Sequence, residues 1–162
     1  MHELAQLNVA AMKASLDSPV MADFVASLDR INALAERSPG FVWRLQSDDG
    51  DATAFRPLGD HVLVNLSVWA DVPSLSHYVY RTAHVEVMRR RRDWFDRMGA
   101  AYMVLWWVPA GHRPTVEEAL GRLDRLRTHG PGPGAFTFAQ AYGPPDSDAA
   151  ATPFRIDDTC PA

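Results

Sequence analysis

A chain of 162 residues, 47% of them hydrophobic, is long enough to bury the core of one domain. Its formal net charge of −4 argues against nucleic acid or an anionic membrane as partner, and no apolar run approaches the roughly 18 residues of a bilayer span. The single cysteine, Cys160, excludes an intrachain disulfide and a multi-cysteine zinc site; with a start, Met1-His2-Glu3-Leu4, that has no leader pattern, it points to a cytoplasmic setting.

Leu4 to Met12 alternates as a first strand does. Ser18-Pro19 supplies an N-cap and a first-turn proline, and Val20, Phe24, Leu28, Ile31 and Leu34 recur at helical spacing until Ser38-Pro39-Gly40. Phe41 to Gln46 reads as a second strand and residues 47–51 as a polar turn. His61 to Trp69 reads as a third strand, with Val62, Val64, Leu66 and Val68 on one face and Leu63, Asn65, Ser67 and Trp69 on the other. Asp71 caps a second helix with Pro73 in its first turn, and Thr82 is a further cap candidate. Tyr102 to Val108 is apolar on both faces, as in a strand covered on both sides. Thr115, with Glu118 three positions on, predicts a capping box for a helix through Arg127. Phe136 to Phe138 is a candidate edge strand.

The order βαββαβ followed by an extra C-terminal helix predicts an α+β, ferredoxin-like fold with a four-stranded antiparallel sheet and helices on one face. The domain is set at residues 1–138 and a flexible tail at 139–162. The second sheet face, carrying large apolar side chains, would stay open unless covered, so a homodimer with the two sheets facing each other is expected.

The stretch from Ser74 to Met98 places polar groups where core belongs. At 100° per residue, His77, Tyr80 and Arg91 fall within about 40° of His84, in the stripe of Met88, Phe95 and Met98. Glu86, Arg89, Arg90, Asp93, Asp96 and Arg97 fall opposite. A break near Thr82 would leave only His84 and Arg91 sharing a face. His84 has an unperturbed pKa suited to a base, or it is a core histidine satisfied by Asn8, Asn65 or Ser67. Arg91 can clamp a carboxylate, phenolate or enolate, or it pairs with Asp23 or Asp29. The tryptophans, Trp43, Trp69 and Trp106 among them, either line an aromatic cavity or pack the core and subunit contact. No glycine-rich phosphate loop, His-x-x-x-His, Cys-x-x-Cys or Gly-x-Ser-x-Gly pattern occurs, so neither a metal nor a nucleotide cofactor is expected.

Asp17-Ser18-Pro19, the run from Ser38 to Arg44, Ser67-Val68-Trp69, Tyr80 through Phe95, and Trp106 through Gly111 together carry a resemblance. Over residues 4–138 the chain resembles a bacterial family of unknown function within the dimeric α+β barrel superfamily, home of the antibiotic-biosynthesis monooxygenases. The resemblance implies a ligand between sheet and helices. In the wider superfamily such sites serve cofactor-free quinone-forming oxygenases, isomerases, cyclases and haem-degrading enzymes, in which a helix histidine binds the iron. The expected function is therefore a monooxygenase-like enzyme for a hydrophobic aromatic or polyketide-like molecule, with His84 as base and Arg91 and Tyr80 beside it. Asn8, Trp43, Asn65, Trp69, His77, Met88 and Trp106 would line the site, without a cofactor; haem is the less favoured alternative. A non-catalytic dimer that binds a hydrophobic ligand is the other reading.

Overall fold

Strand β1 (His2–Ala11) opens the chain in the computed structural model, which describes residues 1–156; Cys160 and the end of the expected tail lie outside them. The Ser18 hydroxyl accepts from Val20 N and starts a 3₁₀ turn, Pro19–Met21, that runs into α1 (Ala22–Arg37). There follow β2 (Phe41–Arg44), β3 (Val62–Trp69) and α2 (Val72–Arg81), the last capped by Asp71. Two short helices come next, α3 (His84–Arg89) and α4 (Arg91–Trp94), then β4 (Met103–Pro109) and α5 (Val116–His129). Every strand pair is antiparallel and the order across the sheet is β2-β3-β1-β4, the ferredoxin-like arrangement with an added helix.

The helix expected to continue from α2 breaks at Thr82. Its backbone is extended there, and its hydroxyl donates to the Tyr78 carbonyl at 2.6 Å while accepting from His84 N at 3.3 Å. One side chain thus closes α2 and starts α3, as a threonine with both donor and acceptor is able to do. Thr115 accepts from Glu118 N at 3.1 Å, but the capping box is not reciprocal. The Glu118 carboxylate instead takes the Trp106 indole N–H at 3.1 Å and sits 2.7 Å from His112 Nε2. Phe136 makes only an isolated bridge to Leu105, not an edge strand.

Strand alternation sends Ala5, Leu7, Val9, Val64, Leu66, Val68, Val104, Trp106 and Val108 to one face. That face was expected to be closed by a second subunit. It is covered within the chain: Ala119, Leu123 and Leu126 of α5 pack on it, with Leu45 and Phe55 from the β2–β3 connection, and Trp106 is 0% exposed. The amphipathic α5 thus provides, within one chain, cover that was assigned to a second subunit.

The other face carries Leu4, Gln6, Asn8, Asn65, Ser67 and Trp69 beneath α1 to α3. The segment from 139, expected as tail, joins this layer. Ala141 and Tyr142 are buried, the Trp107 indole donates to the Tyr142 carbonyl at 2.8 Å, and Phe154 bridges back to Ala141. Apolar side chains at 141 and 142 outweigh the Pro- and Asp-rich composition that suggested a free tail.

Candidate functional site

On this second face the apolar stripe of α1 stands off the sheet. Phe24, Leu28 and Ile31 are half-buried and line a cavity, although Phe24 also packs on Trp94 and Phe95. The cavity has two lobes, of about 150 Å³ against Phe24, Leu28 and residues 51–53, and about 120 Å³ against Trp69, Leu75 and Tyr78. The lobes share a wall made of Asn8, Asn32, Arg44, Asn65, His84, Met88 and Arg91. Six of those seven side chains are polar; Asn65 is exposed and the others are partly buried.

His84 is fixed by its surroundings. Its Nδ1 lies 3.3 Å from the Val79 carbonyl, and its ring sits 4.7 Å from that of Tyr78. A carbonyl only accepts, so Nδ1 carries the proton and Nε2 keeps its lone pair. Burial pushes the imidazole below its ordinary value, with the bond to Val79 opposing in part, so the ring is neutral at pH 7. Among the described residues no group hydrogen-bonds Nε2, which leaves it as a base or acceptor on the cavity wall.

Arg91 has no carboxylate partner among the described residues. Asp23, one candidate, pairs with Arg90 at 2.8 Å, and Arg90 also holds Asp93. The Arg91 guanidinium lies instead over the Tyr102 ring, 4.0 Å from its centroid. The two neighbours separate because the helix is interrupted at Arg90, between α3 and α4.

Asn8 is held by a chain of hydrogen bonds that begins at the Trp69 indole. The Trp69 indole can only donate and gives its N–H to Ser67 Oγ at 2.9 Å. Ser67 donates onward to Gln6 Oε1 at 2.9 Å, and Gln6 Nε2 donates to Asn8 Oδ1 at 2.9 Å. The end of the Asn8 amide left for the cavity is its NH₂. Gln6 and Ser67, the two buried polar side chains of the core, are satisfied in this way.

Asn65 pairs with Asn8 across β1 and β3 and, with Met88, completes the shared wall. Trp69 lies in the smaller lobe, stacked on Tyr78 at 5.0 Å. Tyr80 also lines that lobe, edge-on to Phe138 at 5.5 Å. His77 does not join them: it is exposed, because the break at Thr82 puts α2 in a different register from α3. Trp43 and Trp106 point to the α5 face and take no part in the cavity wall.

Three contributors were missed by the sequence reading. A bulge in β2 pairs Phe41 with Trp69, Trp43 with Val68 and Arg44 with Ser67. Phe41 and Arg44, three apart, thereby share the cavity face. Arg44 is bound to Glu36 at 2.8 Å and so adds little uncompensated charge. Tyr78 follows Val72 and Leu75 at three-residue intervals, a spacing that marks it as inward within α2 alone. Its phenol is held well above the ordinary range by burial, with the Arg44 charge opposing, so it remains protonated. Asn32 of α1, the third, falls beside Ile31 on the same wall.

Haem, the less favoured cofactor, does not fit within the two lobes alone. Ligand sites typically span about 300–1,000 Å³, and two small lobes divided by a polar wall offer no room for a flat macrocycle. Among the described residues no group of three or more His, Cys, Asp or Glu is placed to hold a free metal ion.

Fold and site define an α+β protein with a polar-walled cavity between a ferredoxin-like sheet and its helices. The chain belongs to the family described as domain of unknown function DUF3291, whose model matches residues 3–152. The match runs through the packed segment beyond residue 139. No curated protein matches the chain. Among solved structures, it is similar to a protein of unknown function from Nitrosomonas europaea, with 14% identity, a TM-score of 0.48, and 71% of this chain and 97% of that one covered. It is also similar to SnoaB, a cofactor-independent oxygenase from Streptomyces nogalater, with 20% identity, a TM-score of 0.44, and 73% and 100% covered.

Proposed function

We propose that the chain is an enzyme that removes a proton from a small hydroxylated aromatic or enolisable molecule, in the manner of a monooxygenase-like protein that needs no cofactor. One observation carries the proposal: a neutral His84 with a free Nε2 shares a cavity wall with Arg91, a cation lacking a carboxylate. Nε2 takes the proton from the substrate O–H or activated C–H. The electron pair left behind moves onto a substrate oxygen, where Arg91 and the Asn8 NH₂ stabilise it. The electron-rich anion then reacts with dioxygen in an oxygenase, or is reprotonated elsewhere in an isomerase. Lobes of about 150 and 120 Å³ suit one or two rings, a smaller substrate than a polycyclic polyketide.

The test offers hydroxynaphthalenes to the purified chain and follows dioxygen uptake and deuterium incorporation from D₂O. His84→Gln is expected to lower turnover by about 10²- to 10⁴-fold, the usual worth of a general base, with the fold intact by circular dichroism. Arg91→Lys, which keeps charge but loses the planar fork, is expected to slow it by about 10-fold or more. Binding of these compounds without uptake or exchange would favour the non-catalytic reading. Unfolding of His84→Gln would favour a structural histidine.

A further inference from the structure

Beyond the Arg91–Tyr102 pair lies a second, wider concavity of about 870 Å³, open to solvent. It shares Arg91, Tyr102 and Met103 with the smaller lobe of the cavity, so the two adjoin. Its charge is one-sided. Lys13, Arg91, Arg92 and Arg97 line it against a single carboxylate, Asp96, in a chain whose net charge is −4. Among the described residues none of these four cations forms an ion pair, whereas Arg90, from the same run, is held by Asp23 and Asp93. The Lys13 ammonium donates to the Arg92 backbone carbonyl, which ties β1's exit to α4 and holds Lys13 at the rim. Gly99, Ala100 and Ala101 form a small-residue stretch of the wall, beside the larger Phe95, Met98, Tyr102 and Met103.

A cluster of unpaired cations in a concavity attracts an anion more strongly than the same charges spread on a convex surface, because field lines concentrate there. Guanidinium groups match the oxygens of a phosphate in paired, charge-assisted hydrogen bonds. We infer that this basin binds the phosphoryl group of a small organic phosphate whose ring enters the adjoining cavity past Arg91 and Tyr102. The inference rests on the reading of that cavity as a ligand site and names the class of ligand: an aromatic or enolisable ring bearing a phosphoryl group. Arg91 then faces both parts, the phosphoryl oxygens on one side and the ring's oxygen on the other.

The test is calorimetric titration of the full chain with inorganic phosphate and with 1-naphthyl phosphate at low ionic strength. Phosphate is expected to bind weakly, and 1-naphthyl phosphate at least 10-fold more tightly, because its ring gains the cavity. Arg92→Gln and Arg97→Gln are each expected to weaken both ligands several-fold, and added salt to weaken both further. Arg125→Gln, on α5 and outside the basin, is the control and is expected to change neither. His84→Gln is expected to leave phosphate binding unchanged, so loss of turnover in that variant and loss of the anion site are read separately. The inference is overturned if neither ligand binds, if Arg92→Gln and Arg97→Gln leave both affinities as they were, or if the naphthyl group adds nothing.

Discussion

His84 is governed by what its two ring nitrogens meet. Val79 takes the Nδ1 proton, burial keeps the ring neutral, and Nε2 is left on the cavity wall. The same burial has a thermodynamic signature. In the unfolded chain the imidazole titrates at its ordinary 6.5, and in the fold it titrates lower. Between those two values the unfolded state holds more protons. Stability is therefore intact above pH 6.5 and is lost as pH falls below it, down to the folded value. Urea unfolding across that range is expected to show His84→Gln with a flatter acid side than wild type; equal slopes would contradict a depressed histidine. The sequence alone made His84 and Arg91 legible as inward residues, and both line the cavity although the helix is interrupted between them at Arg90. It misplaced His77, because a two-residue interruption at Thr82 and Ala83 turns one stripe into two, and the hydroxyl geometry that makes the break is not visible in a periodicity. Arg44 was hidden for a similar reason: a bulge shifts strand alternation by one residue.

At the scale of elements, α1 walls the cavity opposite β1 and β3 and is pinned to the sheet at its C-terminal end. The pin is the turn into β2. Gly40 has φ +80°, its carbonyl accepts from Ala70 N at 2.6 Å, and a Cβ there would lie 2.2 Å from Ser74 Oγ and 2.5 Å from Ser74 Cβ. Both the backbone conformation and the close approach to α2 demand glycine. Gly40→Ala is expected to cost about 1–3 kcal/mol from the backbone alone, with more from the contact, read as a lower midpoint of chemical denaturation. Ser74→Ala should not rescue it, since the Cβ of residue 74 remains in the way. The element boundaries of α1, β3, β4 and α5 followed from caps, prolines and alternation. The capping box at Thr115 did not close as expected, because Trp106 and His112 compete for the Glu118 carboxylate, a tertiary contact that local sequence does not encode.

For the whole molecule, the sheet is a single layer with cover on both faces supplied by one chain. The added helix α5 takes the place a second subunit was expected to fill, and the segment through Phe154 closes the far end of the cavity layer. Composition made the apolar sheet legible from sequence but not the identity of its cover, which depends on where α5 returns in space. With no sheet face left open among the described residues, the chain is expected to sediment at its monomer mass of 18.0 kDa. Leu123→Asp, placing a charge at a position 1% exposed between α5 and the sheet, is expected to uncover that face and cause unfolding or association. A wild-type dimer dissociated by the same substitution would restore the sheet-to-sheet arrangement.

The whole account turns on the protonation of one ring, which long-range ¹H–¹⁵N correlation spectra of the histidine side chains report directly across a pH titration. For His84 the expected result is a neutral ring protonated on Nδ1, titrating below 6.5. A ring protonated on Nε2, or one that titrates at or above 6.5, would contradict it.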